Sequence, residues 1–252
     1  MPDTKVKKPP LGFKIALAIG LVAWVWLCVY LAKYLSYHGF KWLIMTFHLE
    51  TSTILQSIYS VVIYLLAILI MLGVPALLRK YFPKLKAYPL LEKPSREELG
   101  LKNLPTWTDI LLSPIGFLIQ YALGALLVTF FTNFSWFNAT EVQPTGYSDL
   151  ISTGDKILAF LIIAVLAPIV EEIIFRGFLY GRLRKYLNLP ASILLVSLLF
   201  AVLHEQWNVG VNVFATSLVL CALREVTGTI YSGMLVHILK NAVAFYLLFI
   251  AL

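Results

Sequence analysis

Seven stretches of this chain are apolar over lengths that suit a bilayer: residues 11–31, 53–78, 108–132, 156–180, 190–206, 209–224 and 229–252. A hydrocarbon core of about 30 Å takes about 20 helical residues. The backbone polar groups of such a segment must pair within the protein, which leaves helices and closed barrels as the only spanning structures. The runs are longer than barrel strands, lack strict alternation and are dominated by Leu, Ala and Ile, and this selects helices. With 60% hydrophobic and 13% charged residues, the expected fold is all-α, a polytopic transmembrane bundle of about seven spans.

Basic residues set the orientation, because positive loops stay cytoplasmic. Placing the N-terminus in the cytoplasm puts Lys5, Lys7, Lys8 and Lys14 there, then the basic residues from Arg79 to Lys102, then Arg176, Arg182, Arg184, Lys185 and Arg224. Only Lys33, Lys41 and Lys156 fall on the other side, and seven spans would leave the C-terminus outside. The formal +7 charge is therefore a matter of topology. Nucleic-acid binding is excluded as a reading, since the basic residues are divided among juxtamembrane loops and do not gather on one folded face.

The chain divides into a cytoplasmic tail (1–10), an N-terminal helical pair (11–78), a cytoplasmic linker (79–107) and a C-terminal unit (108–252). Pro83, Pro89, Pro94 and Pro105 mark the linker. The basic start and the apolar run after it resemble a secretory signal, but the run is long and no small-x-small site ends it, so it reads as a retained span. The stretch around His38 and His48 is an interfacial helix or an extension of a neighbouring one. Pro144 and Gly146 belong to an outer loop over 133–155. Cys28 and Cys221 fall inside apolar runs and read as small buried hydrophobes.

Against this background, Glu171, Glu172 and Arg176 stand inside the fourth apolar run. Ionisable groups in a span are costly without partners or water, so they are functional candidates. Pro168 is expected to kink the helix one turn before the acidic pair. Beyond it the chain turns at Asn188-Leu189-Pro190 and returns. Glu171 and His204 lie at comparable distances on either side of that turn, each on the order of 25 Å away along a helix at 1.5 Å per residue. Two antiparallel helices would therefore set them side by side. His237 and Asn241, spaced i,i+4, add one polar face of the last span.

Adjacent glutamates point about 100° apart around a helix, so one ligand need not touch both, and they divide their roles. Glu172 and Arg176 have the i,i+4 order of a favourable ion pair, leaving Glu171 available. A carboxylate beside an imidazole can deprotonate water, and a second imidazole with an amide can hold a developing oxyanion. Phe200 reads as packing, Glu205 as a solvated charge at a helix end, and Lys240 as a snorkelling or cavity-lining cation. The residues also form a zinc set in Glu171, His204 and His237. A metal-free glutamate mechanism explains Asn241 equally well and is the reading preferred here, with no obligatory cofactor and zinc as the alternative. HExxH is absent, because His204-Glu205 opens HEQWN.

EEIIFRG at 171–177, FAVLH at 200–204 and HILKN at 237–241 resemble the EExxxR, FxxxH and HxxxN signatures of the CAAX-protease and bacteriocin-processing (CPBP, or Abi) family of intramembrane endopeptidases. The likeness extends over about residues 108–252. It implies that Glu171 activates water, that His204 helps hold it, that His237 and Asn241 stabilise the oxyanion, and that Glu172 with Arg176 organises the site. It further implies a peptide or protein substrate at the membrane: prenylated CAAX tails in eukaryotic relatives, and peptide maturation, bacteriocin immunity or regulatory proteolysis in prokaryotic ones. The compact loops suggest a multi-pass protein of a prokaryotic plasma membrane. Two other classes compete, a non-cleaving binding or immunity protein of the same fold and a proton- or ion-coupled transporter. No inverted repeat with paired broken helices supports the transporter.

Overall fold

The computed structural model describes residues 10–141, 146–147, 150 and 152–251. Residues 1–9 of the tail and Pro144 of the expected outer loop lie outside the described residues. Among those described, the protein is helical without strands. Its seven principal helices are α1 (Leu11–Phe47), α2 (Thr53–Tyr81), α3 (Trp107–Phe131), α4 (Thr153–Arg184), α5 (Leu189–Val202), α6 (Trp207–Thr227) and α7 (Tyr231–Phe249). Six of these are long and apolar enough to cross a membrane. The remaining one, α5, has 14 residues and is only about 21 Å long at 1.5 Å per residue. The multi-pass, all-α expectation holds, with the fifth apolar run, 190–206, too short to cross alone.

Local chemistry sets the helix ends. Thr106 accepts the backbone N–H of Asp109 and Ser152 that of Asp155, each aspartate returning the bond in a capping box. Asn188 caps α5, and Pro190 lies in its first turn, where its missing N–H costs nothing. Gly228, with φ +71°, supplies the left-handed residue that ends α6. The segment after residue 31 continues α1 to Phe47, so His38 sits on a long helix and His48 caps it in the left-handed region.

Helix α1 turns one face, Ala18, Leu21, Val25, Cys28 and Ala32, into the core. These residues follow alternating steps of three and four, the spacing that brings side chains onto one stripe. They join Phe175, Phe178, Leu179 and Leu183 of α4 and Val196, Leu199 and Phe200 of α5 in one buried cluster. Cys28 and Cys221 are buried and unbridged.

The linker is tied to the core at the basic end of the bundle. Arg182 is fully buried; it pairs with Glu98 and donates to the carbonyls of Pro89 and Glu92, both at 2.7 Å. Lys185 reaches the other Glu98 oxygen at 2.7 Å, and Arg224 donates to the carbonyls of Glu97 and Glu98 at 3.1 and 3.2 Å. Close approach is allowed because position 181 is glycine: a Cβ there would overlap the Glu98 carbonyl.

Candidate active site

The site is built where α4 departs from regular winding. Leu161–Leu166 and Ile173–Tyr180 are π-helical and flank the α-helical Ala167–Glu172. Such bulges disturb the carbonyl ladder and concentrate at functional positions. The N–H of Ala167 donates to Ile162 O, five residues back. The next donor in that register would be residue 168, but proline has none. The Ile163 carbonyl is thereby freed, and Asn241 Nδ2 donates to it at 3.0 Å. Pro168 thus acts within a continuous helix by releasing a carbonyl that anchors α7.

Glu172 and Arg176 are completely buried, and Arg176 Nη1 donates to Glu172 Oε1 at 2.7 Å. The same oxygen lies 3.0 Å from Nδ1 of His237. His237 Nε2 stands 3.6 Å from Glu171 Oε2. One imidazole therefore meets both glutamates. The two side chains diverge, but the ring presents a nitrogen to each. Gly233 leaves room for this arrangement, since a Cβ there would sit 3.1 Å from Glu172 Oε2.

Phe200 has more contacts than simple packing requires. Its ring lies 4.9 Å from that of His204 and 5.8 Å from that of His237, and the Arg176 guanidinium carbon stands 4.6 Å from its centroid. Its carbonyl lies 2.8 Å from His204 Nδ1. A carbonyl only accepts, so Nδ1 carries the proton and Nε2 is left with a lone pair in the neutral ring.

Glu171, with a side chain 20% exposed, borders two cavities of about 640 and 270 Å³. His204 and Tyr64 border both as well. His237 and Asn241 line the smaller one. Glu205, expected as a solvated charge at a helix end, has a side chain 74% exposed and forms an ion pair with Lys33 at 3.1 Å.

Sequence reasoning missed Tyr64, whose hydroxyl donates to Glu171 Oε1 at 3.3 Å from the N-terminal helix α2. A signal existed: Ser57, Ser60 and Tyr64 recur at helical spacing within an apolar run and make a polar stripe. Ser60 also borders both cavities, and Ser57 lies 3.2 Å from the Tyr147 hydroxyl.

The zinc alternative can be judged from the donors. Among the described residues no three His, Cys, Asp or Glu side chains gather as a metal-holding group. Both His237 nitrogens face carboxylates, and His204 Nδ1 is held by backbone. A zinc site requires ligand atoms about 2.0–2.3 Å from one common centre. As placed, Glu171, His204 and His237 do not gather at such a centre.

No curated protein and no solved structure gives a significant match to the chain. A family model does match, described as type II CAAX prenyl endopeptidase Rce1-like, over residues 153–243. That interval contains all three motifs, from Glu171 to Asn241, and makes this segment of the chain similar to the Rce1-like type II CAAX prenyl endopeptidases.

Proposed function

We propose that the protein is an intramembrane endopeptidase that hydrolyses a peptide bond of a membrane-associated substrate by a glutamate-dependent, metal-free route. The observation that carries this reading is the convergence of Glu171, His204, His237 and Asn241 from α4, the α5–α6 turn and α7 on the wall of one cavity.

In this mechanism Glu171 accepts a proton from a water whose oxygen attacks the peptide carbonyl carbon. His204 accepts the water's second hydrogen through Nε2 and holds it in line. Charge developing on the carbonyl oxygen is met by Nε2–H of His237 and by the Asn241 amide proton not committed to Ile163. Glu172 Oε1, 3.0 Å from Nδ1 of His237, aims the ring, and Arg176 balances the buried Glu172 charge. When the intermediate collapses, the C–N bond breaks and Glu171 returns its proton to the departing amine. Water is thereby divided between a new carboxylic acid and a new amine.

The match to the Rce1-like family model over residues 153–243 supports proteolysis, and the substrate is prenylated, a bacteriocin precursor or a regulatory protein. Comparing membrane-peptide profiles of cells carrying the native protein with those carrying Glu171→Gln tests the activity and names the substrate together. A peptide that accumulates whole in the variant and appears cut in the native cells is the expected result. Identical profiles, with a biological function that survives Glu171→Gln, would instead point to a non-cleaving binding protein.

A further inference from the structure

Both cavities reach toward the same end of the bundle. The larger is rimmed by Lys33, Glu141, Glu205 and Gln206, and the smaller borders Tyr147 and Phe249. Lys33 donates to Glu205 at 3.1 Å, and Gln206 donates to the Glu141 carbonyl at 3.2 Å. Helix α3 begins beside the linker and ends at Phe131. Helix α5 leaves Asn188, just beyond the linker-bound Arg182 and Lys185, and α7 begins where the N–H of Ile230 donates to the Gly100 carbonyl at 3.3 Å. The loop after α3, the α5–α6 turn and the end of α7 therefore lie at the end remote from the linker, which is where the rim residues are found. Among the described residues, none from 79–107 or 181–188 borders either cavity.

The approach from the linker end is filled by protein. Every residue of α4 from Ile174 to Tyr180 is buried, and Ile174 and Phe175 form the floor of the larger cavity. At the other end the rim is wet, because the Lys33 and Glu205 side chains are 43% and 74% exposed and ionised groups so exposed need water around them. Basic loops stay in the cytoplasm, and Arg182, Lys185, Arg224 and the lysines of the linker gather at the closed end. Resting on the endopeptidase reading for the reaction, we propose that Glu171 takes its substrate from the non-cytoplasmic side, as a polypeptide segment that has already been moved across the membrane. The step that supplies such a substrate is translocation of a polypeptide. A tail held at the cytoplasmic leaflet would meet only the packed end of α4.

Sidedness is tested on the full chain in sealed membrane vesicles of both orientations, with a membrane-impermeant maleimide. Cys28 and Cys221 are buried, so the native protein serves as the unlabelled control. Glu141→Cys reports the rim, since Glu141 gives Gln206 and Asn208 only its backbone carbonyl, and Gln206→Cys is a second rim reporter. Lys86→Cys, at an exposed position, reports the linker. Both rim reporters are expected to react only in vesicles with the non-cytoplasmic face outward, and Lys86→Cys only in inverted ones. The peptide that accumulates in cells carrying Glu171→Gln is then added outside vesicles holding the native protein. Cleavage with the non-cytoplasmic face outward, and its loss in inverted vesicles, is the expected result. Rim labelling or cleavage restricted to inverted vesicles would overturn the inference. Failure of the endopeptidase reading shows separately, as cleavage undiminished in Glu171→Gln, and leaves the labelling pattern as it is.

Discussion

His237 Nδ1 stands 3.0 Å from Glu172 Oε1, the oxygen that also takes Arg176 Nη1 at 2.7 Å. This contact joins α4 to α7 and gives the buried carboxylate two positive or protonated partners. Removing one member of a buried charge pair costs about 3–5 kcal/mol, whereas replacing both with apolar groups is often neutral or stabilising. Arg176→Met is therefore expected to lower unfolding stability in mixed micelles by about that amount. Glu172→Leu combined with Arg176→Met is expected to regain most of it without regaining cleavage. A stable Arg176→Met single variant would refute the pair as a structural element.

Tyr64 adds the N-terminal helices to the site. Its hydroxyl holds Glu171, and a hydrogen bond to a charged group contributes about 1.5–3 kcal/mol. Tyr64→Phe preserves the ring and is expected to lower kcat about tenfold or more with KM little changed. Steady-state cleavage of the peptide identified by profiling checks this. Full activity in Tyr64→Phe would leave the ring as packing alone.

Pro168 offers an unusual exchange of stability for activity. Pro168→Ala restores an N–H that can recover the Ile163 carbonyl, and proline in a helix interior costs about 3 kcal/mol. The variant is expected to unfold at higher temperature, because the helix ladder closes, and to cleave more slowly, because Asn241 loses its anchor. Thermal unfolding and initial rates measured on one preparation decide the matter. A stabilised variant with native cleavage would show that the Ile163–Asn241 bond does not position the amide.

At the basic end, Gly181 lies against the Glu98 carbonyl. Gly181→Ala forces the two backbones apart and is expected to destabilise by about 1–3 kcal/mol, the usual range for overpacking. Limited proteolysis should then cut first between residues 83 and 101. Native resistance would mean that the linker is held by its arginine contacts alone.

Much of this site was legible in the sequence because ionisable groups in apolar runs are rare enough to be noticed singly. Glu171, Arg176, His204 and His237 announced themselves by cost, and the turn at Asn188 let helix geometry pair two of them across the fold. Tyr64 did not stand out, since a tyrosine in a span also suits a membrane interface. The π-helical segments of α4 carry no periodic signature, and Pro168 could be read as a kink but not as the release of one particular carbonyl. The linker looked independent because its prolines and charges resemble those of any surface loop. Its attachment depends on Arg182, which sequence alone assigns to a cytoplasmic helix exit.

The central claim is that the Glu171 carboxylate activates water. Single-turnover cleavage of the profiled peptide by purified Glu171→Gln tests it most directly, with circular dichroism confirming that the helices remain. Loss of a general base lowers rates by about 10²–10⁴-fold, and a fall of that size with an intact fold is the expected result. Cleavage by Glu171→Gln at the native rate would contradict it.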